Sequence, residues 1–373
     1  MKSDILIIGG GLAGLSTAIL LQKSGYQVRV LEKKKYPYHR VCGEYISNEV
    51  LPFLKSLVPN INQIQTSQIN QLAVTSVSGK ILNAPLDLGG FGISRYTLDN
   101  LLFKQAEKLG VEFTFDKVIN VKFNENSFQV STSSNQIFES EIAIAAHGKR
   151  SNLDQKFNRE FFYKRSPYLG VKYHIRTDFP ANLIRLDNFE GGYCGLSKIE
   201  EHKFCFCYLS ETANLKKYAG IPEMEEQVLF KNPFLREVFK NSEFLFEKPE
   251  VINEISFERK SLVENHVIFC GDAAGMITPL CGNGMAIAIH SAKILAQSIL
   301  QFAKKGEVIN RKALEQDYVL NWEQQFALRL KSGRLIQNLF GSTLVSNLAI
   351  SSLNKLPSLT QFLVKKTHGE VLY

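Results

Sequence analysis

Three glycines, Gly9, Gly11 and Gly14, followed by an acid at Glu32, have the types and spacing that hold a dinucleotide. Gly9 permits a tight turn, Gly11 lets the backbone approach a pyrophosphate, and Gly14 lets a helix pack closely on the preceding strand. The helix that begins at Leu12 and Ala13 offers unpaired N–H groups and a partial positive charge to phosphates. Glu32 can accept hydrogen bonds from ribose hydroxyls. A second constellation starts at Gly271-Asp272, where a carboxylate can meet further hydroxyls and Ala273, Ala274 and Gly275 let a ligand come close. Pro279 stiffens the loop, and Gly282-Asn283-Gly284 opens a helix whose positive end can stabilise a negatively charged ring. Between the two lies Arg40-Val41-Cys42-Gly43-Glu44, which brings a thiol and a carboxylate together. Such a thiol can act as an acid, a polarisable wall or a redox-sensitive group, and the carboxylate can position substrate or move a proton.

These residues need elements to carry them. Ile5–Ile8 is a short apolar run suited to a strand buried on both faces, and Val28–Leu31 supplies its neighbour. Lys33–Arg40 is basic and aromatic, broken by Pro37, and reads as the loop that leaves this βαβ unit. Short helices are expected over Asn48–Leu57 and Thr97–Leu109, and a hairpin over Gln71–Val77 and Lys80–Leu88 around Ser78-Gly79. Val111–Phe115, Val118–Phe123, Phe128–Thr132, Gln136–Glu139 and Ile142–Ala146 read as separate strands. From Tyr168 the pattern changes to an antiparallel sheet with one polar face, in which Tyr168, Tyr173, Phe204, Phe206 and Tyr208 are candidates for an apolar pocket. Val267–Cys270 returns to a buried strand, and Met285–Phe302, Asn321–Phe340 and the last forty residues read as helical. The fold class is α/β: a Rossmann-like nucleotide-binding domain with an inserted antiparallel-sheet domain and a helical C-terminus. The nucleotide-binding domain is expected over residues 1–70, 96–165 and 262–330, the substrate domain over 71–95 and 166–261, and the C-terminal segment over 331–373.

The bulk properties narrow the class. A chain of 373 residues with 45% hydrophobic content can bury the cores of two domains. Its net charge of +8 comes from scattered residues and suits an anionic cofactor or surface. No nucleic-acid module is present. The six cysteines lack metal-ligand spacing, no metal is expected, and Cys205-x-Cys207 has the period of one strand face. No signal peptide and no membrane span are expected; a cytoplasmic protein with free thiols is the default, with peripheral membrane contact left open.

The order Gly9-x-Gly11-x-x-Gly14 with Glu32, Arg95 ahead of Asp99, then Gly271-Asp272-Ala273-Ala274 with Pro279 and Gly282-x-Gly284 resembles a flavoprotein superfamily. Its members include aromatic hydroxylases, flavin-dependent halogenases and geranylgeranyl reductases. The resemblance implies FAD in a Rossmann-like domain of the glutathione reductase type. The first set would hold the adenosine and pyrophosphate, the last the ribitol and isoalloxazine, with Arg95 nearby. Ala145-Ala146-His147-Gly148 resembles the second flavin-side motif, with His147 where the family usually has an acid. Gly148 still suits close approach, whereas the histidine puts direct use of NAD(P)H in question, so NAD(P)H is one admitted electron donor among others.

The Cys42-Gly43 loop, approached through Lys33 and Arg40, is similar to the cysteine–glycine loop of geranylgeranyl reductases that lies over the flavin. It implies Cys42 and Glu44 as catalytic residues. Trp322 is the sole tryptophan, so the paired tryptophans of halogenases are missing and halogenation is not expected. The implied activity is hydride transfer through flavin N5 to or from an apolar, conjugated or prenyl-type small molecule, carrier-bound or lipid substrates included. Two alternatives stand beside it: a monooxygenase hydroxylating an aromatic substrate through a flavin hydroperoxide, and a non-catalytic flavin-binding partner protein that uses its C-terminal helices as an interface.

Overall fold

Two sheets organise the chain in the computed structural model, which describes residues 1–278, 283–337, 340–367 and 369–373, the side chains of 336, 366 and 367 excepted. The first sheet runs Val263–Glu264, Val267–Phe269, Ile137–Ala145, Lys2–Ile8, Val28–Leu31, Glu112–Thr114, with the Val118–Asn124/Ser127–Thr132 hairpin added beside Ile137–Ala145. Its centre is parallel: Ile7 lies opposite both Val30 and Ile144, and Ile144 opposite Ile268. The two strands expected between 136 and 146 are one, Ile137–Ala145. Its first half alternates buried and exposed beside the antiparallel hairpin, and its second half is buried throughout between parallel neighbours. That change of burial period within one strand is what a sequence pattern reads as a break.

The second sheet runs Glu243–Phe244, Tyr168–Arg176, Phe204–Glu211, Gly192–Lys198, Leu183–Phe189, Gln68–Thr75, Ile81–Gly92, Tyr45–Ser47, with Glu250–Ile255 also on Tyr168–Arg176. The hairpin around Ser78-Gly79 forms, with Gly79 at φ +87° in the turn. The chain crosses into this sheet directly after the Cys42 loop, because Ile46 pairs with Phe91. The division expected at residue 70 therefore falls inside Gln68–Thr75, and that at 330 inside the Arg311–Gln337 helix.

Alternation sorts the second sheet into two faces. Leu169, Val171, Tyr173, Phe204, Phe206 and Tyr208 form a core with the helices Ile221–Val228 and Pro233–Asn241. The opposite face carries Gly170, Lys172, His174, Cys205 and Cys207 towards the Cys42 loop. Of the five aromatic residues expected to line a pocket, Tyr173, Phe204 and Phe206 turn their side chains the other way; Tyr208 borders the cavity although its ring packs in that opposite core, and Tyr168 packs near Phe257 on the cavity side.

The Gly284–Phe302 helix is long and apolar enough, by length and composition, to cross a membrane. In the fold it is a core helix, flanked by Leu12–Lys23 and Arg311–Gln337. Tyr318 on the latter donates to the Phe269 carbonyl at 2.7 Å, and Trp322 closes over Gly275. Gly14 has no room for a side chain: a Cβ there would sit 2.0 Å from the Gly9 carbonyl oxygen. Gly14→Ala is expected to lower stability by about 2–3 kcal/mol, since backbone on both sides must move. A guanidinium denaturation midpoint equal to that of the unsubstituted protein would contradict this packing.

Candidate functional site

A cavity of about 430 Å³ runs from the glycine turn to the second sheet. At its first end Gly9 adopts φ +105° against the Ala146 carbonyl, and Gly11 faces open space, with an added Cβ meeting only the Arg95 Nη2 at 3.6 Å. Gly11 also precedes the Leu12–Lys23 helix without a side-chain cap, so the helix N–H groups remain available to a ligand. Glu32 holds this turn in shape, accepting from the Gly10 N–H at 2.8 Å and the Lys34 N–H at 3.1 Å. It keeps acceptor capacity for a ribose hydroxyl. Lys33 lines the cavity beside it.

Two guanidinium groups share one carboxylate here. Arg95 grips Asp99 with two bonds of 2.7 Å, and Arg40 reaches the same Asp99 at 3.1 Å. Burial opposes the Arg95 charge, but Asp99, with Cys42 and Asp272, outweighs it and raises its pKa. Arg40 also lies 3.4 Å from Glu32, so two carboxylates match the two guanidinium groups; Asp99 orients Arg95 over Gly11, where its donors would meet a pyrophosphate.

Cys42 and Gly43 line the middle of the cavity. The Cys42 thiol is pushed up by burial, against the lowering effect of Arg95, so it remains protonated at neutral pH. Glu44 follows in the left-handed region at φ 55°. Its carboxylate is fully buried and engaged: Oε1 accepts from the Arg95 backbone N–H at 2.8 Å and from Lys172 at 2.5 Å, and Oε2 lies 2.6 Å from His174 Nε2. Burial works to raise its pKa, and Lys172 and His174 together hold it at about 2. Sequence reasoning missed Lys172 and His174. They stand two apart on one strand face, the same period that Cys205 and Cys207 show on the neighbouring strand, with His174 opposite Cys205 and Lys172 opposite Cys207.

Gly148, at φ +87° with open space at its Cβ position, lines the cavity beside His147. His147 Nε2 lies 3.2 Å from both oxygens of Asp154, whose Oδ1 also takes the Arg159 guanidinium at 2.7 Å. Arg159 in turn donates to the Ala273 carbonyl, so this network braces the second half-site. Gly271, at φ +65°, contacts Ala13: a Cβ on it would lie 2.7 Å from the Ala13 methyl. That contact brings the two glycine segments together. Asp272 lines the cavity, its pKa raised by burial and opposed by Lys260, Arg95, Arg40 and Lys149. Gly284 and Met285 begin the core helix at the wall, and Asn283 is buried just before it. Pro279 and Gly282 lie outside the described residues. Gly14 and Gly271 shape the site from behind, without lining it.

The far end is apolar: Ile184, Leu186, Tyr193, Leu209, Ile255 and Met276 form its wall, with Gly170 and Gly195 leaving the sheet surface open. Most of these residues come from the strands already recognised in sequence, on the face opposite to the one chosen.

The FAD binding domain family model matches residues 2–309. The chain belongs to this family. Among relatives of this FAD-binding protein, digeranylgeranylglycerophospholipid reductase 1 of Methanosphaera stadtmanae is 24% identical over 353 residues, covering 88% of this chain and 82% of the relative. Kynurenine 3-monooxygenase of Cytophaga hutchinsonii is 24% identical over 341 residues, 80% and 73% of the two chains. In fold it is similar to a flavin-dependent brominase, at a TM-score of 0.79 and 18% identity over 98% of this chain and 93% of that one. The enzyme class is that of FAD-dependent oxidoreductases, as the family and these relatives support. The cradle fits FAD: the open Gly11 surface beneath Arg95 would hold the pyrophosphate, and Asp272, Gly148 and the Gly284 helix start would hold the remainder.

Gly11→Val is expected to abolish FAD retention while leaving the fold intact, because its side chain would fill the surface beneath Arg95. Purified yellow protein with normal flavin content would contradict that placement. The histidines give a second expectation. Burial, its largest influence, holds His147 below its usual range, and His39 and His290 at about 4. The unfolded chain, with histidines near about 6.5, binds more protons in acid, so stability is lost as pH falls from about 6.5 towards 4. Thermal midpoints across that range check it; a flat profile would remove the assignment, and His290→Phe is expected to lessen the slope.

Proposed function

We propose that this protein is an FAD-dependent reductase or dehydrogenase that moves a hydride between flavin N5 and an apolar, conjugated or prenyl-type substrate. The observation that carries the reading is one cavity with the glycine turn and Arg95 at one end, apolar side chains at the other and Cys42 between them. Bound FAD supplies the two-electron redox centre, which no side chain here provides. Arg95 and Arg40 neutralise the pyrophosphate. Leu186, Tyr193, Leu209 and Ile255 exclude water and orient the substrate by shape. Cys42, protonated at neutral pH, offers a proton at its sulfur and a soft wall to a conjugated chain. Glu44 is a positioning residue: with its oxygens committed to Arg95, Lys172 and His174, it fixes the Cys42 loop. The similarity to a digeranylgeranylglycerophospholipid reductase supports the prenyl version. Reduced nicotinamide, docking transiently, is the proposed electron donor.

Mass measurement after incubating the reduced holoenzyme with prenyl, polyene and phenolic compounds tests the reading. A gain of two hydrogens on a prenyl or polyene compound is expected; a gain of one oxygen on a phenol would make the protein a monooxygenase instead. Cys42→Ala is expected to keep its FAD and lose about a hundredfold in kcat, the usual scale for a missing proton donor. Unchanged turnover would reduce Cys42 to a packing residue.

A further inference from the structure

The C-terminal helices are turned inside out. On Thr343–Leu353 the side turned to the protein is mostly polar, with Ile350 its buried apolar residue: Asn347 accepts from Ser78 at 2.5 Å, Ser351 accepts from Lys80 at 2.8 Å, and Asn354, just beyond the helix, donates to the Ile81 carbonyl at 2.9 Å. The leucines face outwards, with Leu344 and Leu348 76% and 68% exposed. The next helix, Pro357–Thr367, repeats this arrangement. Thr360 is buried and bonds the Leu353 carbonyl, and Gln361 donates to Asp87, while Leu359 and Phe362 are exposed. A helix packing for its own stability does the reverse.

Charge identifies what covers this face. Residues 324–369 contain no aspartate or glutamate and six lysines and arginines. Lys331, Lys355 and Lys365 are exposed and carry no ion pair among the described residues. Outward leucines with lysines beside them, the neighbouring acids Asp87 and Glu190 being engaged by Gln361 and Thr343, match an anionic bilayer surface, which takes apolar side chains below its headgroups and cations among its phosphates. The same segment touches the cavity wall. Phe340 packs on Tyr193 with ring centroids 5.6 Å apart, and Val364 packs beside Ile184. We infer that the C-terminal helices dock this protein on anionic phospholipid membranes, with the apolar end of its cavity next to the lipid. This goes beyond the redox reading and is read out without turnover, so either can fail while the other stands.

The test is flotation of the full-length holoenzyme with vesicles of phosphatidylcholine alone and with about one third phosphatidylglycerol. Binding is expected to the anionic vesicles and to fall steeply with added salt. Lys355→Ala with Lys365→Ala is expected to weaken partitioning about 25-fold, at about fivefold per surface lysine. Leu344→Ser with Leu348→Ser is expected to weaken it at least about tenfold, with flavin content unchanged. Absence of binding to anionic vesicles, or binding indifferent to both double variants, overturns the inference. So does a dimer in light scattering that the leucine variant dissociates, since the face would then be covered by a second copy.

Discussion

The Glu44 carboxylate fixes three pieces of chain to one another in a space that excludes water. Through Oε1 it caps the start of the Arg95–Lys108 helix by way of the Arg95 N–H, and through Lys172 and His174 it holds the second sheet. Lys172 also donates to the Arg40 carbonyl, and Cys205 to the Cys42 carbonyl, so the loop between them is pinned on its backbone. A buried ion pair of this kind adds little net stability over an apolar contact, but losing one partner strands the other charge at a cost of about 3–5 kcal/mol. The cluster therefore selects one arrangement of the two sheets. The distance from Gly11 to Cys42 and on to the apolar wall depends on that arrangement.

Polarity then divides along the cavity. At the glycine turn, helix N–H groups and the Arg95 and Arg40 guanidinium groups, held by Asp99 and Glu32, present donors suited to a pyrophosphate. At the second sheet the wall is leucine, isoleucine, methionine and tyrosine, with glycines leaving the surface flat. A dinucleotide cofactor with an apolar reaction partner has the same division. The C-terminal helices continue it outwards, since their apolar side faces away from the protein and their polar side faces the hairpin around Gly79.

How much of this was legible depended on whether the signal was local. The turn at Gly9, Gly11 and Gly14 and the strand end at Gly271-Asp272 could be read directly, because each needs only backbone freedom and a neighbouring strand. The aromatic pocket was not legible. Strand alternation shows that residues 204, 206 and 208 share a face, but either face of a sheet covered on both sides can be apolar. Cys205-x-Cys207 already marked the other face, and Lys172 and His174 could have been placed there by the same period. Ile137–Ala145 was divided in two because its neighbours change halfway along.

The sequence by itself determined the glycine turn, the strand end at Asp272, the α/β class and the loop that carries Cys42, since these rest on spacing within short segments. Tertiary structure alone decided which sheet face lines the cavity, that Glu44 is engaged by Lys172 and His174, and that Ala13 touches Gly271. Those contacts join residues more than a hundred positions apart. Their existence depends on how two sheets are set against each other, which no local pattern specifies.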